Sequence, residues 1–126
     1  MKRIQLGIIV ISAVMFFVAI ATDIFWLAKL IGRPFPKTMP VTSTVYDAFA
    51  FPDLLMSVFL YIGAIGLIKL RKFGFAFSLV AMGMWIFDSL LVLGITKLSR
   101  IDIIGFSLVF AAFAVGYLFQ HKDIFD

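Results

Sequence analysis

Three aspartates set in or against apolar sequence are the residues best placed to do chemistry: Asp23, Asp53 and Asp88. A carboxylate can relay a proton, hold a cation or act as an acid or base. Surrounded by hydrocarbon, it costs roughly 2.5–3.5 kcal/mol on insertion scales, so an acid kept there marks a candidate site. Each of the two deepest acids travels with a tryptophan. Asp23-Ile-Phe-Trp26 reappears in inverted order as Trp85-Ile-Phe-Asp88, and Ser89 follows directly. The candidate set for binding a ligand or a proton is therefore Asp23, Trp26, Asp53, Trp85, Asp88 and Ser89.

Each acid also has a structural explanation. Asp53 follows Pro52 at a helix start, where the helix dipole stabilises a carboxylate. Asp23 lies six residues before Lys29 and can pair with it. Asp88 is the deepest: at 1.5 Å per residue it is about 13 Å from Lys97 and about 24 Å from Lys72. Its choices are to pair with Lys97 or Arg100, to carry a proton, or to accept the Trp26 indole hydrogen. Asp47 and Tyr46 fall just before Asp53, so four acids converge on one end of the chain's apolar segments.

The remaining composition removes most other chemistry. The chain has no cysteine, and its one histidine is His121. Disulfides, thiol redox, iron–sulfur clusters and cysteine or histidine-rich metal sites are thereby excluded. All seven acids are aspartate. No Ser-His-Asp set assembles, because His121 belongs to the opposite end from the three aspartates. There is no glycine-rich phosphate loop or nucleotide fingerprint. We expect no catalytic residues, no metal and no cofactor.

The elements that must position these side chains are legible from hydropathy. Of 126 residues, 63% are hydrophobic and 14% charged, against roughly 25% charged in an ordinary soluble domain. Mean hydropathy is +1.14. A membrane-crossing helix needs about 20 apolar residues, and this chain has enough for four. The runs predict helices over about 4–27, 54–70, 74–96 and 103–120. Residues 28–53 hold Pro34, Pro36 and Pro40, which forbid a regular helix there. The fold expected is all-α: a single domain over 1–126, an integral membrane four-helix antiparallel bundle with one long outer loop between helices 1 and 2. The tail after Gln120 is too short to fold by itself. Continuous apolar runs of this length do not show the every-second-residue alternation of a membrane β-barrel.

Polar residues at helical spacing indicate inward faces. Ser12, Ala19, Asp23 and Trp26 form one stripe, and Ser78, Trp85, Asp88/Ser89 and Thr96 another. Ala112 and Gly116 make a small-xxx-small pair suited to close helix contact. Tyr61 and Tyr117 read as interfacial anchors.

Basic residues decide orientation narrowly. Lys2, Arg3, Lys69, Arg71, Lys72 and Lys122 fall on one side, and Lys29, Arg33, Lys37, Lys97 and Arg100 on the other. Lys and Arg are retained on the cytoplasmic side, so both termini are expected inside, with insertion in both orientations the rival. The +4 charge belongs beside lipid headgroups rather than on a nucleic-acid-binding surface. The partners expected are the lipid bilayer and either a second copy or a larger membrane complex, with no nucleic acid. The functional expectation is a non-enzymatic protein that binds or transports a proton or a small cationic or polar solute at the acidic end. The alternatives are a structural or assembly subunit and a lipid-modifying enzyme or isomerase.

Overall fold

Long apolar runs free of internal proline satisfy their own backbone hydrogen bonds as helix, and the chain does so throughout its described length. The computed structural model describes residues 3–30, 50–95 and 101–125. They form four α-helices: α1 (Arg3–Leu30), α2 (Ala50–Ile68), α3 (Lys72–Ile95) and α4 (Ile101–Gln120), followed by one 3₁₀ turn, Lys122–Ile124. Three apolar stretches, Leu6–Lys29, Ala50–Ile68 and Lys72–Gly94, are long and apolar enough to cross a membrane, and Ile104–Gln120 is a shorter apolar helix. The whole connection between α1 and α2, with Tyr46 and Asp47, and the segment holding Thr96, Lys97 and Arg100 lie outside the described residues.

The helix ends shift from the sequence expectation for local reasons. Helix α2 begins at Ala50 rather than Leu54, with Pro52 in its first turn. Proline is tolerated there because a first-turn N–H has no intrahelical acceptor. The same helix stops at Ile68. Leu70 takes a left-handed conformation (φ 54°), its N–H reaches Leu67 O, and the Arg71 N–H reaches Gly66 O at 2.9 Å. These two bonds make a Schellman cap. It turns the chain within a few residues and leads into α3.

Packing follows a stripe on each helix. Ile8, Ile11, Met15 and Ala19 are buried on α1, and Met56, Leu60, Ala64 and Leu67 on α2. Helices α3 and α4 contribute Ala81, Met82, Ala111, Ala114 and Leu118. Spacings of three and four put the α1, α2 and α4 sets each on one face. Consecutive helices pack most extensively: α1 on α2, α2 on α3, and α3 on α4. The side chains facing away are apolar too, among them Phe17, Phe51, Phe106 and Val109. Such a surface suits hydrocarbon rather than water.

Two glycines set the closest approach. Gly66 of α2 and Gly74 of α3 meet backbone to backbone, so a Cβ on either would overlap the other helix. The close contact is there and not at the Ala112/Gly116 pair. Ala112 and Gly116 face outward, and a Cβ on Gly116 would meet nothing within 4 Å. Gly74→Ala should therefore cost about 2 kcal/mol or more through overpacking, while Gly116→Ala should be neutral or slightly stabilising. Thermal unfolding of both variants in one detergent measures the contrast. Equal melting points would remove the Gly66/Gly74 contact as a determinant.

At the same end, the tail does fold. Phe125 is buried against Phe75, with ring centroids 5.5 Å apart, and Phe75 also meets Phe119 edge-on. An aromatic side chain gains enough by covering the α3/α4 end to fix the short 3₁₀ turn. Gly7 of α1 closes this end on the other side, because a Cβ there would run into the Tyr117 ring of α4. Tyr117 is thus an α1–α4 packing residue and also contacts His121, 4.4 Å between ring centroids.

Candidate ligand-binding site

Residues spaced three or four apart on a helix share a face, and that spacing brings the acids together. On α1 these are Asp23 and Trp26, and on α2 Asp53, Ser57 and Tyr61. Two hydrogen bonds join these faces. The Trp26 indole Nε1–H donates to Asp53 Oδ2 at 3.0 Å, and the Tyr61 hydroxyl donates to Asp23 Oδ2 at 3.0 Å. Ser57 turns its hydroxyl back onto the Leu54 carbonyl, 2.8 Å away, so it takes no part in the link between helices.

Asp88 reaches the same place from α3. Its carboxyl group lies beside that of Asp53. Asp88 Oδ2 is buried and receives no hydrogen bond from any described residue. An ionised carboxylate only accepts hydrogen bonds. Asp53 draws its donor from the Trp26 indole.

The sequence-derived set is thus partly assembled. Trp26 and Asp53 are hydrogen-bonded across α1 and α2, and Asp88 of α3 neighbours Asp53. Asp23 is tied to Tyr61 instead, so it neighbours the group through α1 without bonding to it. Trp26 donates to Asp53 and not to Asp88. Lys97 and Arg100, the other partners considered for Asp88, lie outside the described residues. Ser89 is buried, one position beyond Asp88.

Trp85 joins through space rather than through a hydrogen bond. It stands 5.8 Å from the Phe110 ring of α4 and lines a cleft of about 340 Å³ together with Phe17, Thr22, Phe25, Trp26, Asp53 and Ser107. The cleft is open to the outside rather than enclosed. Helix α1 supplies most of its wall, while α2, α3 and α4 contribute one residue each. Its origin is geometric: α1 and α4 touch where Gly7 meets Tyr117 and are not among the extensively packed pairs. Above that contact, nothing between them matches the packing of the other helix pairs.

Both tryptophans of the chain line this cleft, and Trp26 carries a cation already. Lys29 Nζ lies 5.4 Å from the Trp26 ring centroid, within the range where the electron-rich face of an indole attracts an ammonium. The Trp26 side chain is therefore held at its edge by an acid and at its face by a base, with Phe25 packed edge-on at 5.2 Å.

Sequence reasoning missed Tyr61, Thr22 and Ser107. Tyr61 was legible as the third member of the 53–57–61 series on α2. Ser107 continues the buried α4 stripe of Ile104, Ala111 and Ala114. Thr22 gives no signal beyond adjacency to Asp23. Among the described residues no group of three or more His, Cys, Asp or Glu side chains is arranged to hold a metal. No protein-family model, curated protein or solved structure matches this chain.

Proposed function

We propose that this chain is an integral membrane protein, an antiparallel bundle of four crossing helices, that binds or moves a proton or a small cationic or polar solute at the Asp53/Asp88 carboxyl pair. The single observation that carries the reading is the placing of two neighbouring carboxyl groups, Asp53 and Asp88, at the side of an open cleft. Three long apolar helices support the membrane setting. The contacts Asp23–Tyr61 and Trp26–Asp53 run in opposite chain directions along α1 and α2, as do Phe75–Phe119 and Trp85–Phe110 along α3 and α4. A carboxyl pair away from bulk water is costly in a bilayer. Two neighbouring carboxyls of which one is protonated carry less charge than two anions, and that one can give up its proton when a cation arrives.

The test is proton movement in proteoliposomes containing a pH-sensitive dye. An imposed gradient of a solute cation should drive proton movement the opposite way, faster than in protein-free vesicles. If no member of a panel of alkali, divalent and organic cations does so, and none binds the protein in detergent, the reading is wrong.

Orientation is tested separately, and the absence of cysteine makes this simple. With both termini cytoplasmic, Thr42→Cys should react with an impermeant thiol reagent in intact cells and Phe73→Cys should not. Equal labelling of the two establishes insertion in both orientations.

A second reading has its own observation. On α4, Ala112 and Gly116 face outward, and a Cβ on Gly105 or Gly116 would meet nothing within 4 Å. Small residues on an outward helix face allow a second helix to approach closely. That favours association with another copy or with a larger membrane complex, and the two readings are compatible.

A further inference from the structure

The cleft holds more information about its occupant than the carboxyl pair does. Resting on the reading just proposed, we infer that the ligand is a lipophilic organic monocation, an ammonium or phosphonium carried on an apolar body, and not a hydrated metal ion.

Four features of the cleft lead there. First, its walls are aromatic: Phe17, Phe25, Trp26 and Trp85, with only two hydroxyls, on Thr22 and Ser107. A hard metal cation needs about six oxygen ligands to replace its water, and this lining cannot supply them. Indole and phenyl faces instead suit a cation whose charge is spread over carbon-bearing groups. Second, one ionisable side chain, Asp53, lines the cleft, with Asp88 behind it. A single carboxylate facing the occupant matches a single positive charge. Third, the cleft begins at Phe17, midway along the Leu6–Lys29 apolar stretch. An occupant reaching that depth contacts hydrocarbon as well as the acid, so its body must be apolar. Fourth, the volume of about 340 Å³ lies in the range of small-molecule pockets and is far larger than a bare ion requires.

The exchange balances simply. One monocation enters, the O–H bond of a proton on the Asp53 carboxyl breaks, and the proton leaves to water with no change in the charge of the site. No redox step or covalent intermediate is involved. The charged and titratable groups around Asp53 are Asp88 from α3 and Asp23 and Lys29 from α1, Asp23 being tied to Tyr61 of α2. From α4 the cleft receives the non-titrating Ser107. Lys29 sits on the Trp26 ring as a resident cation, so an incoming one competes with it.

Tetraphenylphosphonium and tetraphenylborate share a shape and differ in sign, which makes them suitable probes for the purified full chain in detergent. Equilibrium dialysis measures binding, and a weakly buffered sample reports released protons. Because both tryptophans line the cleft, their fluorescence reports occupancy directly. Tetraphenylphosphonium should bind with release of about one proton per site, and tetraphenylborate should not bind. Asp53→Asn should weaken the cation at least about tenfold, and Trp85→Leu by about threefold or more. Lys29→Gln should tighten it by removing the competing ammonium. The circular dichroism of each variant shows whether it has folded, and Trp85→Leu, on a half-buried side chain, serves if Asp53→Asn does not fold.

Equal binding of the two probes identifies an apolar cleft without charge selection and overturns the inference. If tetraphenylphosphonium fails to bind while potassium, sodium or magnesium releases protons from the wild type but not from Asp53→Asn, the carboxyl pair is an inorganic-cation site. The proposed function then stands and this ligand class is wrong. If no cation binds or releases a proton, both are wrong.

Discussion

Asp88→Asn should leave the helices folded and abolish cation-coupled proton movement, reducing it to the rate of protein-free vesicles. The reason lies in the hydrogen-bond inventory. An asparagine amide is close to aspartate in size, can donate from its nitrogen to the Asp53 carboxylate and does not titrate, so it can keep its place beside Asp53 without an exchangeable acid proton. The stability change should therefore stay within about 1 kcal/mol, while the proton available for exchange is gone. Asp88→Leu separates the two effects in the opposite sense. It removes the neighbouring acid altogether, puts hydrocarbon against the part-buried Asp53 carboxyl, and should cost about 1–3 kcal/mol. Flux against an imposed cation gradient, measured beside thermal unfolding in the same detergent, distinguishes them. A fully active Asp88→Asn would show that the pair does not carry the exchanged proton. Loss of association with a membrane partner, with no solute phenotype, would favour the assembly reading. An Asp88→Asn protein that mainly unfolds would make the carboxyl a structural hydrogen-bonding group.

Trp26 should be the side chain on which the stability of the α1/α2 contact depends most. It is 3% exposed, donates to Asp53, packs on Phe25 and holds Lys29 over its ring. Trp26→Ala removes all of these and opens a void, with an expected loss of about 3–5 kcal/mol. Trp26→Phe keeps most of the apolar bulk and deletes the N–H donor. Its cost should be about 1–3 kcal/mol, the range for leaving a buried acceptor without its bond. A double-mutant cycle with Asp53→Leu isolates that bond. Once Asp53 is leucine, Trp26→Phe should become nearly neutral. An unchanged penalty in the Asp53→Leu background would show that the indole matters for shape alone.

The sequence alone determined that the described chain is helical and roughly where each helix lies. Runs such as Ile4–Leu27 offer no water-like partner for the backbone, so the hydrogen bonds close within the segment. It also picked out Trp26, Asp53 and Asp88, because a carboxylate or an indole amid apolar residues is conspicuous whatever the fold. The helix ends were less legible. That α2 stops at Ile68 depends on Leu70 accepting a left-handed conformation, a site where glycine is the usual signal. The order of a short tail was invisible too, since only the assembled end of α3 and α4 offers Phe125 a place to bury.

Partner choice was decided by tertiary structure. Asp23 has Lys29 nearby in sequence, but across the α1/α2 interface it accepts from Tyr61. The Trp26 indole could in principle have reached any of the acids, and the relative rotation of α1 and α2 gives it Asp53. Small residues were equally ambiguous: Gly66 and Gly116 look alike in sequence, yet one lies against Gly74 and the other faces outward. Helical periodicity specifies which residues share a face and says nothing about which neighbouring helix that face meets. The cleft between α1 and α4 belongs wholly to this second level. It exists because Gly7 and Tyr117 bring the two helices together at one end while α2 and α3 fill the space between their neighbours, and no single segment encodes the gap that remains.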